Sequence, residues 1–137
     1  MDKHVPDGFA PLFRSSPFLD MVGPLYGRPP GPGFAIGLRA EARHCNARGT
    51  VHGGMLATIC DLALGYAMAF SAAPALSLAT ASLTLSYSGS AKAGDWIESR
   101  TSIQHVGSRL AYASCDLVVE GKAIVHATGV YMNAGAL

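Results

Sequence analysis

Residues 53–70 are apolar or small on nearly every face of a helix, and this stretch limits the folds open to the chain. Between Arg48 and Lys92, only Asp61 carries a charge. A helix without a polar face is normally buried, so it must lie at the centre of its fold. A buried carboxylate is costly unless other groups hold it, and acids held in such places often do chemistry. Asp61 is therefore the first candidate for a catalytic group.

The composition indicates one domain that buries part of its apolar surface against another subunit. The chain has 137 residues, of which 50% are hydrophobic and 14% are charged. A short domain with so much apolar surface commonly buries the excess against another subunit. We therefore predict a homodimer or a dimer of dimers. The formal net charge of +1, with no run of Lys or Arg, predicts no nucleic-acid partner.

The cysteines and the N-terminus indicate a cytoplasmic protein. Three cysteines without a Cys-x-x-Cys pair favour reduced thiols over a disulfide framework, and they predict no metal site. The first seven residues lack the apolar core of a signal peptide. Residues 53–73 are long enough to suggest a membrane span, but Asp61 at the centre would cost about 2.5–3.5 kcal/mol. We therefore predict no membrane span.

Hydrophobic periodicity predicts a leader segment over residues 1–33 and one α+β domain over residues 34–137. In the leader, Ser16 caps a short helix that ends near Val22, and the Pro/Gly-rich residues 29–33 form a rigid turn. The domain contains a strand, the long apolar helix, and four antiparallel strands. Their expected ranges are 34–43 for the first strand, 53–70 for the helix, and 79–87, 96–106, 109–119 and 123–132 for the meander.

Alternation within two of these strands predicts which side chains point into the core. In the strand after Pro74, Thr80 falls on the outward face with Ser82, Thr84 and Ser86, opposite Ala79, Ala81, Leu83, Leu85 and Tyr87. In the strand over 109–119, the inward positions are Ala111, Ala113, Cys115, Leu117 and Val119.

The segment from Asn46 to Asp61 resembles the signature of hotdog-fold acyl-CoA thioesterases of the phenylacetate-degradation (PaaI-like) type. The shared features are an Asn, a His-Gly-Gly six residues later (52–54), and an acid two turns into the helix. The strand from Thr80 to Tyr87 is similar too, although the family often has a proline at the position of Ser90. The resemblance implies the hotdog fold, an antiparallel sheet wrapped around one long central helix.

The resemblance also implies a division of catalytic work between Gly53 and Asp61. The Gly53 N–H, with its neighbour Gly54, would stabilise the thioester oxyanion at the start of the helix, where developing negative charge is favoured. Asp61 would act as a general base or as a nucleophile. Eight residues of helix separate the two by about 12 Å. The family resemblance therefore implies a two-fold dimer that brings Asp61 of one chain to Gly53 of the other.

Further side chains are candidates for support and binding, each with an ordinary structural interpretation beside it. Asn46 could hold a water or its own loop, His52 could cap the helix or assist catalysis, and Thr80 could orient the water or the carboxylate. The cations near turns could meet CoA phosphates, although a solvated surface position is the favoured interpretation for each of them. These cations are Arg48, Lys92 and Arg109.

Three functions remain open at this point. The first is hydrolysis of an acyl-CoA thioester to a carboxylic acid and free CoA, without metal or cofactor. The second is a hydratase or dehydratase on the same fold, but those proteins carry a His-Phe-Pro-Gly-type loop that this chain lacks. The third is a non-catalytic acyl-CoA binding or regulatory module, which would have no need of Asp61. The acyl group itself is not predicted.

Overall fold

The computed structural model describes residues 5–28 and 34–137, so the turn predicted over 29–33 lies outside the described residues. The described part contains two α-helices, one 3-10 turn over Ala42–His44, and seven strands. In chain order the elements are β1 (Ala10–Pro11), α1 (Pro17–Val22), β2 (Tyr26–Arg28), β3 (Ala35–Arg39), α2 (Gly53–Ala69), β4 (Leu76–Tyr87), β5 (Trp96–Val106), β6 (Leu110–Val119) and β7 (Lys122–Ala136).

All seven strands join one antiparallel sheet in the order β1-β2-β3-β5-β6-β7-β4. Helix α2 packs across one face of this sheet and contacts every strand from β3 to β7. The predicted α+β layout of strand, long helix and four-strand meander is confirmed. No described helix is long and apolar enough to cross a membrane.

The leader adds two short strands that the sequence did not predict. Strand β2 pairs with β3, and β1 pairs with β2, so the leader extends the edge of the sheet. The predicted helix is present as α1, where the Ser16 side chain accepts a hydrogen bond from the Leu19 N–H at 3.2 Å. The strand predicted over 34–43 ends at Arg39, because the chain turns into the 3-10 segment three residues later.

Helix α2 is buried on one side only. Its inner face includes Ile59, Ala63 and Leu64, which are fully buried against the sheet. A stripe on the opposite side is not fully buried: Gly54, Ala57, Thr58, Asp61, Leu62, Gly65 and Tyr66. The prediction that Asp61 is buried is therefore wrong for the single chain, because the sheet covers one side of the helix and leaves the other open.

A β-bulge in β4 changes the faces predicted from alternation for that strand. Thr80 pairs with Tyr131 and Ser82 pairs with Val130, so Ala81 is an extra residue in β4. The bulge turns Thr80 toward the helix, whereas simple alternation placed it outward. A second register shift leaves Ile124 of β7 as an extra residue, because Leu117 pairs with Val125 and Val118 pairs with Ala123. Val119 is partly buried and packs against the core, as predicted. The inward positions from Ala111 to Leu117 are as predicted.

Gly37 in β3 gives a first test of this packing. A Cβ placed on Gly37 would lie 2.1 Å from Cζ2 of the Trp96 indole, which packs on the backbone of β3. We expect Gly37→Ala to lower the free energy of unfolding by about 1–3 kcal/mol, the usual cost of overpacking. Urea unfolding would measure the change. Trp96→Leu in the same chain should recover part of the loss, and a Gly37→Ala protein of unchanged stability would contradict this packing.

Candidate active site

Two hydroxyl groups from the sheet hold the Asp61 carboxylate. The Thr80 Oγ1 donates to Asp61 Oδ1 at 2.6 Å, and the Tyr131 hydroxyl lies 2.8 Å from the same oxygen. The Tyr131 hydroxyl also lies 2.9 Å from the Asp61 carbonyl oxygen. No residue in the described part of the chain donates to Oδ2 of Asp61. One carboxylate oxygen is therefore fixed, and the other is available to a proton or a carbonyl carbon.

Tyr131 is the residue of this cluster that the sequence analysis missed. Its side chain is buried, and burial together with the neighbouring Asp61 charge raises the pKa of the phenol well above its usual range. The phenol therefore stays protonated and remains a hydrogen-bond donor to the carboxylate. A tyrosine on the apolar face of a strand was the available signal, because a buried phenol hydroxyl usually needs a partner. Gly129 makes room for the ring, since a Cβ there would lie 2.7 Å from Tyr131 Cε1.

The start of helix α2 presents one unused backbone donor. The His52 Nδ1 accepts a hydrogen bond from the Gly54 N–H at 2.8 Å, so His52 is the N-cap. Since a backbone N–H can only donate, Nδ1 carries no proton here. The Tyr87 hydroxyl donates to the Gly53 carbonyl at 2.8 Å. None of the described residues accepts from the Gly53 N–H, which leaves this amide as the free donor at the positive end of the helix.

Asn46 uses its side chain inside its own loop. Its Oδ1 accepts hydrogen bonds from the backbone N–H groups of Arg48 at 2.9 Å and of Thr50 at 3.3 Å, and its Nδ2 lies 3.1 Å from Thr50 Oγ1. These contacts shape the loop that leads into the helix. The loop is joined to the connection between β4 and β5, because Thr50 forms an isolated β-bridge with Lys92.

The candidate cations divide between the two ends of the sheet. Arg48 and Lys92 are exposed near the start of α2, and Lys92 has one ion pair, with Asp95 at 3.5 Å. Arg109 is exposed in the β5–β6 turn, at the opposite end of the sheet from Lys92. Within one chain, Arg109 is therefore separated from the other two predicted phosphate contacts.

A cavity of about 180 Å³ opens beside the Asp61 carboxylate. It lies between the uncovered stripe of α2 and the edge strand β4, and most of its apolar wall is aliphatic. It is lined by Arg14, Asp61, Leu62, Gly65, Tyr66, Ala69, Leu76, Ser77, Leu78, Thr80, Tyr131 and Leu137. A small acyl group beside Asp61 would lie in this cavity.

Among the described residues, the site has neither a reactive thiol nor a metal centre beside Asp61. Cys60 precedes Asp61, but its thiol is fully buried, and a hydrogen bond with Cys115 together with burial raises its pKa. A buried, protonated thiol is a poor nucleophile. Among the described residues, no group of three or more His, Cys, Asp or Glu side chains could hold a metal ion.

Comparison with known proteins assigns the family. The family model described as the thioesterase superfamily matches residues 48–125, more than half of the chain. A Pseudomonas aeruginosa protein named "Putative esterase" is 44% identical over 129 residues, which cover 93% of this chain and 96% of that protein. The chain belongs to the thioesterase superfamily. As a member of this family it is a thioester hydrolase.

Solved structures show the same fold. Zebrafish thioesterase superfamily member 2 is 28% identical, with a TM-score of 0.77 over 85% of this chain and 87% of that one. The Thermus thermophilus PaaI phenylacetic acid degradation protein, solved as a mutant, is 24% identical, with a TM-score of 0.75 over 85% and 98%. A Streptococcus pneumoniae thioesterase solved with coenzyme A is 20% identical, with a TM-score of 0.75 over 82% and 90%. The predicted hotdog fold is confirmed.

The contact between Tyr131 and Asp61 predicts a pH dependence of stability. The phenol pKa is raised above 10.0 in the folded chain, so the folded state keeps a proton that the unfolded chain loses. Stability is therefore intact below about pH 10 and falls above it, by up to about 1.4 kcal/mol per pH unit from this group. Tyr131→Phe should make the fall shallower in urea unfolding series from about pH 9 to pH 11. Tyr112→Phe, which alters an exposed tyrosine, is the matched control, and equal slopes for both variants would contradict the prediction.

Proposed function

We propose that this thioester hydrolase acts on acyl-CoA, with Asp61 as the general base or nucleophile and the Gly53 amide as the oxyanion donor. One observation carries the proposal, namely the Asp61 carboxylate with Oδ1 held by Thr80 and Tyr131 and no described donor on Oδ2. Such a carboxylate is oriented, retains a free basic oxygen, and lines a cavity large enough for a small acyl group.

Asp61 can hydrolyse the thioester by two routes. As a general base, Oδ2 of Asp61 takes a proton from water while the water oxygen attacks the thioester carbonyl; the C–S bond then breaks, and the proton passes to the CoA sulfur. As a nucleophile, Oδ2 attacks the carbonyl itself and CoA leaves as a thiol after gaining a proton from solvent. Water then hydrolyses the mixed anhydride and restores the carboxylate. In both routes a tetrahedral oxyanion forms, and the Gly53 N–H at the helix start stabilises it.

The other predicted residues position these two groups. In the proposal, Thr80 fixes the Asp61 carboxylate, and His52 occupies the Gly54 amide, so that Gly53 is the donor that remains for substrate. Asn46 shapes the loop that precedes the helix. These are positioning roles, because each side chain contacts protein groups in the described structure and not the reacting atoms.

A second subunit completes the proposed site. Gly53 and Asp61 are about 12 Å apart along α2, too far for one carbonyl to contact both. The half-buried stripe of α2 lies beside β4, whose outer edge has no partner strand in the described sheet. A long unpaired edge favours pairing with another strand. We propose a two-fold dimer in which the β4 edges pair and the helices lie antiparallel, so that each site combines Asp61 of one chain with Gly53 of the other.

CoA would be held near the ends of the sheet. The Streptococcus pneumoniae thioesterase with the same fold was solved with coenzyme A. In this chain, the exposed cations Arg48 and Lys92 lie near the helix start, and Arg109 lies at the opposite end of the sheet. In an antiparallel dimer these opposite ends come together, so all three remain proposed contacts for CoA phosphates.

Asp61→Asn tests the proposed chemistry. The change keeps the shape of the side chain but removes its basicity, so hydrolysis of a panel of acyl-CoA thioesters should fall by roughly 10²–10⁴-fold. A free-thiol assay would measure kcat, and thermal unfolding would check the fold. Asp116→Asn is the matched control, since Asp116 is exposed on the other face of the sheet, where it contacts His126 at 2.8 Å. A folded Asp61→Asn protein with normal turnover would refute the mechanism, and a wild type without turnover on any thioester would leave the acyl-CoA binding module as the better account.

Subunit mixing tests the shared site. Gly53→Val should be nearly inactive, because the added side chain crowds the amide next to the Tyr87 hydroxyl, 3.3 Å from a Cβ at Gly53. When this variant is refolded together with Asp61→Asn, two-fold symmetry leaves one intact site in each heterodimer, and activity should return to about a quarter of wild type. If the mixture stays as inactive as its components, or if an isolated monomer is active, the shared site is wrong.

A further inference from the structure

The cavity beside Asp61 is also lined by a cation that the hydrolytic mechanism does not use. Arg14 belongs to the leader segment, yet it lines the same cavity as Asp61, Thr80 and Tyr131. It reaches the cavity because Phe13 anchors the leader on helix α2, with ring centroids 5.1 Å from those of Tyr66 and Phe70. Arg14 is exposed, and it is the positively charged residue among lining side chains of which about half are polar. Polar groups that line a ligand cavity fix the orientation of the ligand, so Arg14 is a candidate for a substrate contact.

The Arg14 guanidinium is held in place without a counter-ion. Its Nε donates to the Tyr66 hydroxyl at 3.2 Å, and its Cζ lies 5.5 Å from the Tyr66 ring centroid and 5.6 Å from that of Phe13. Within residues 5–28 and 34–137, no carboxylate lies within ion-pair distance of Arg14. The two terminal nitrogens therefore keep their donors, in the planar fork that matches a carboxylate.

The spacing along α2 sets the length of an acyl group that would reach this cation. Asp61, at the reacting end, and Tyr66, which holds Arg14, are five residues apart on one helix, or about 7.5 Å along its axis. The wall between them consists of Leu62, Leu76 and Leu78 together with Gly65, which has no side chain to block the middle of the cavity. A short methylene chain fits this wall, and its far end would meet Arg14.

We propose that the enzyme prefers acyl groups that carry a second carboxylate at the end distant from the thioester, such as the glutaryl or adipyl group, and that Arg14 recognises this carboxylate. The inference rests on the proposed function, because it takes the Asp61 end of the cavity as the place of the thioester. Arg14 is a specificity-determining residue that contacts the distal carboxylate in a bidentate ion pair. Tyr66 is a positioning residue that holds the guanidinium toward the cavity.

Matched substrates isolate the contribution of the distal carboxylate. Adipyl-CoA and hexanoyl-CoA share a six-carbon acyl chain and differ in the carboxylate at its end. For wild type we expect kcat/KM to favour adipyl-CoA. In Arg14→Met the ratio of the two kcat/KM values should fall on the order of ten- to a hundredfold, the usual value of a charge-assisted hydrogen bond. Tyr66→Phe should lower the ratio by a smaller factor, because the guanidinium keeps its charge but loses its acceptor.

Arg100→Met is the matched control. Arg100 is exposed on β5 at a position facing away from the helix, so its loss removes the same charge without touching the cavity. The ratio in this variant should equal that of wild type. Arg14→Lys should keep part of the preference, since an ammonium supplies the charge but not the planar fork.

Three outcomes would overturn the inference. If Arg14→Met lowers both kcat/KM values equally and weakens inhibition by free CoA, then Arg14 binds CoA phosphate. If it lowers both equally together with the melting temperature, then Arg14 only stabilises the aromatic cluster of Phe13, Tyr66 and Phe70. If hexanoyl-CoA is hydrolysed at least as well as adipyl-CoA by wild type, the distal carboxylate is not recognised. The absence of hydrolysis with any acyl-CoA would instead refute the proposed function, and the inference with it.

Discussion

The hydrogen bonds from Tyr131 to Asp61 join the central helix to the sheet at the residue on which the site depends. The phenol reaches both the carbonyl and the carboxylate of Asp61, so it fixes the backbone of the helix and the side chain together. Thr80, from the neighbouring strand, supplies the second donor to the carboxylate. The orientation of Asp61 is therefore set by the register of two paired strands. Gly129 is part of the same arrangement, because any larger residue there would push the Tyr131 ring aside.

Three incomplete features of the described chain lie on one side of the molecule. The uncovered stripe of α2 carries Asp61, the free Gly53 amide begins the same helix, and the unpaired edge of β4 runs beside it. In a monomer, the half-buried stripe, the open strand edge and the gap of about 12 Å between the proposed catalytic groups would each need a separate explanation. In the proposed dimer, one two-fold axis beside β4 and α2 would resolve all three together. This coincidence is the physical reason for proposing a shared site.

Local patterns in the sequence predicted most of the fold, whereas the details of the site depend on pairing between distant segments. The apolar run of α2 and the alternation in the four long strands are local signals, and both gave the correct elements. The inward turn of Thr80 follows from a bulge at Ala81, and nothing in the sequence of β4 alone marks that residue as extra. The contact of Tyr131 with Asp61 spans 70 positions in the chain and depends on the same register. Strands β1 and β2, with two and three residues, are too short to show any period.

Different segments of the chain supply the Asp61 and Arg14 sides of the cavity. The region that matches the thioesterase superfamily, residues 48–125, contains Gly53, Asp61 and Thr80, whereas Arg14 lies in the leader outside it. Replacing the leader could therefore change which acyl group is accepted without altering the reacting end. Helix α2 fixes the distance between Asp61 and Tyr66, which holds Arg14. Both residues lie on one rigid element, so the helical rise sets their separation. In the proposed enzyme, helix α2 and the strands that hold Asp61 would thus determine where the thioester is cleaved, and the leader would determine what the acyl chain must carry at its other end.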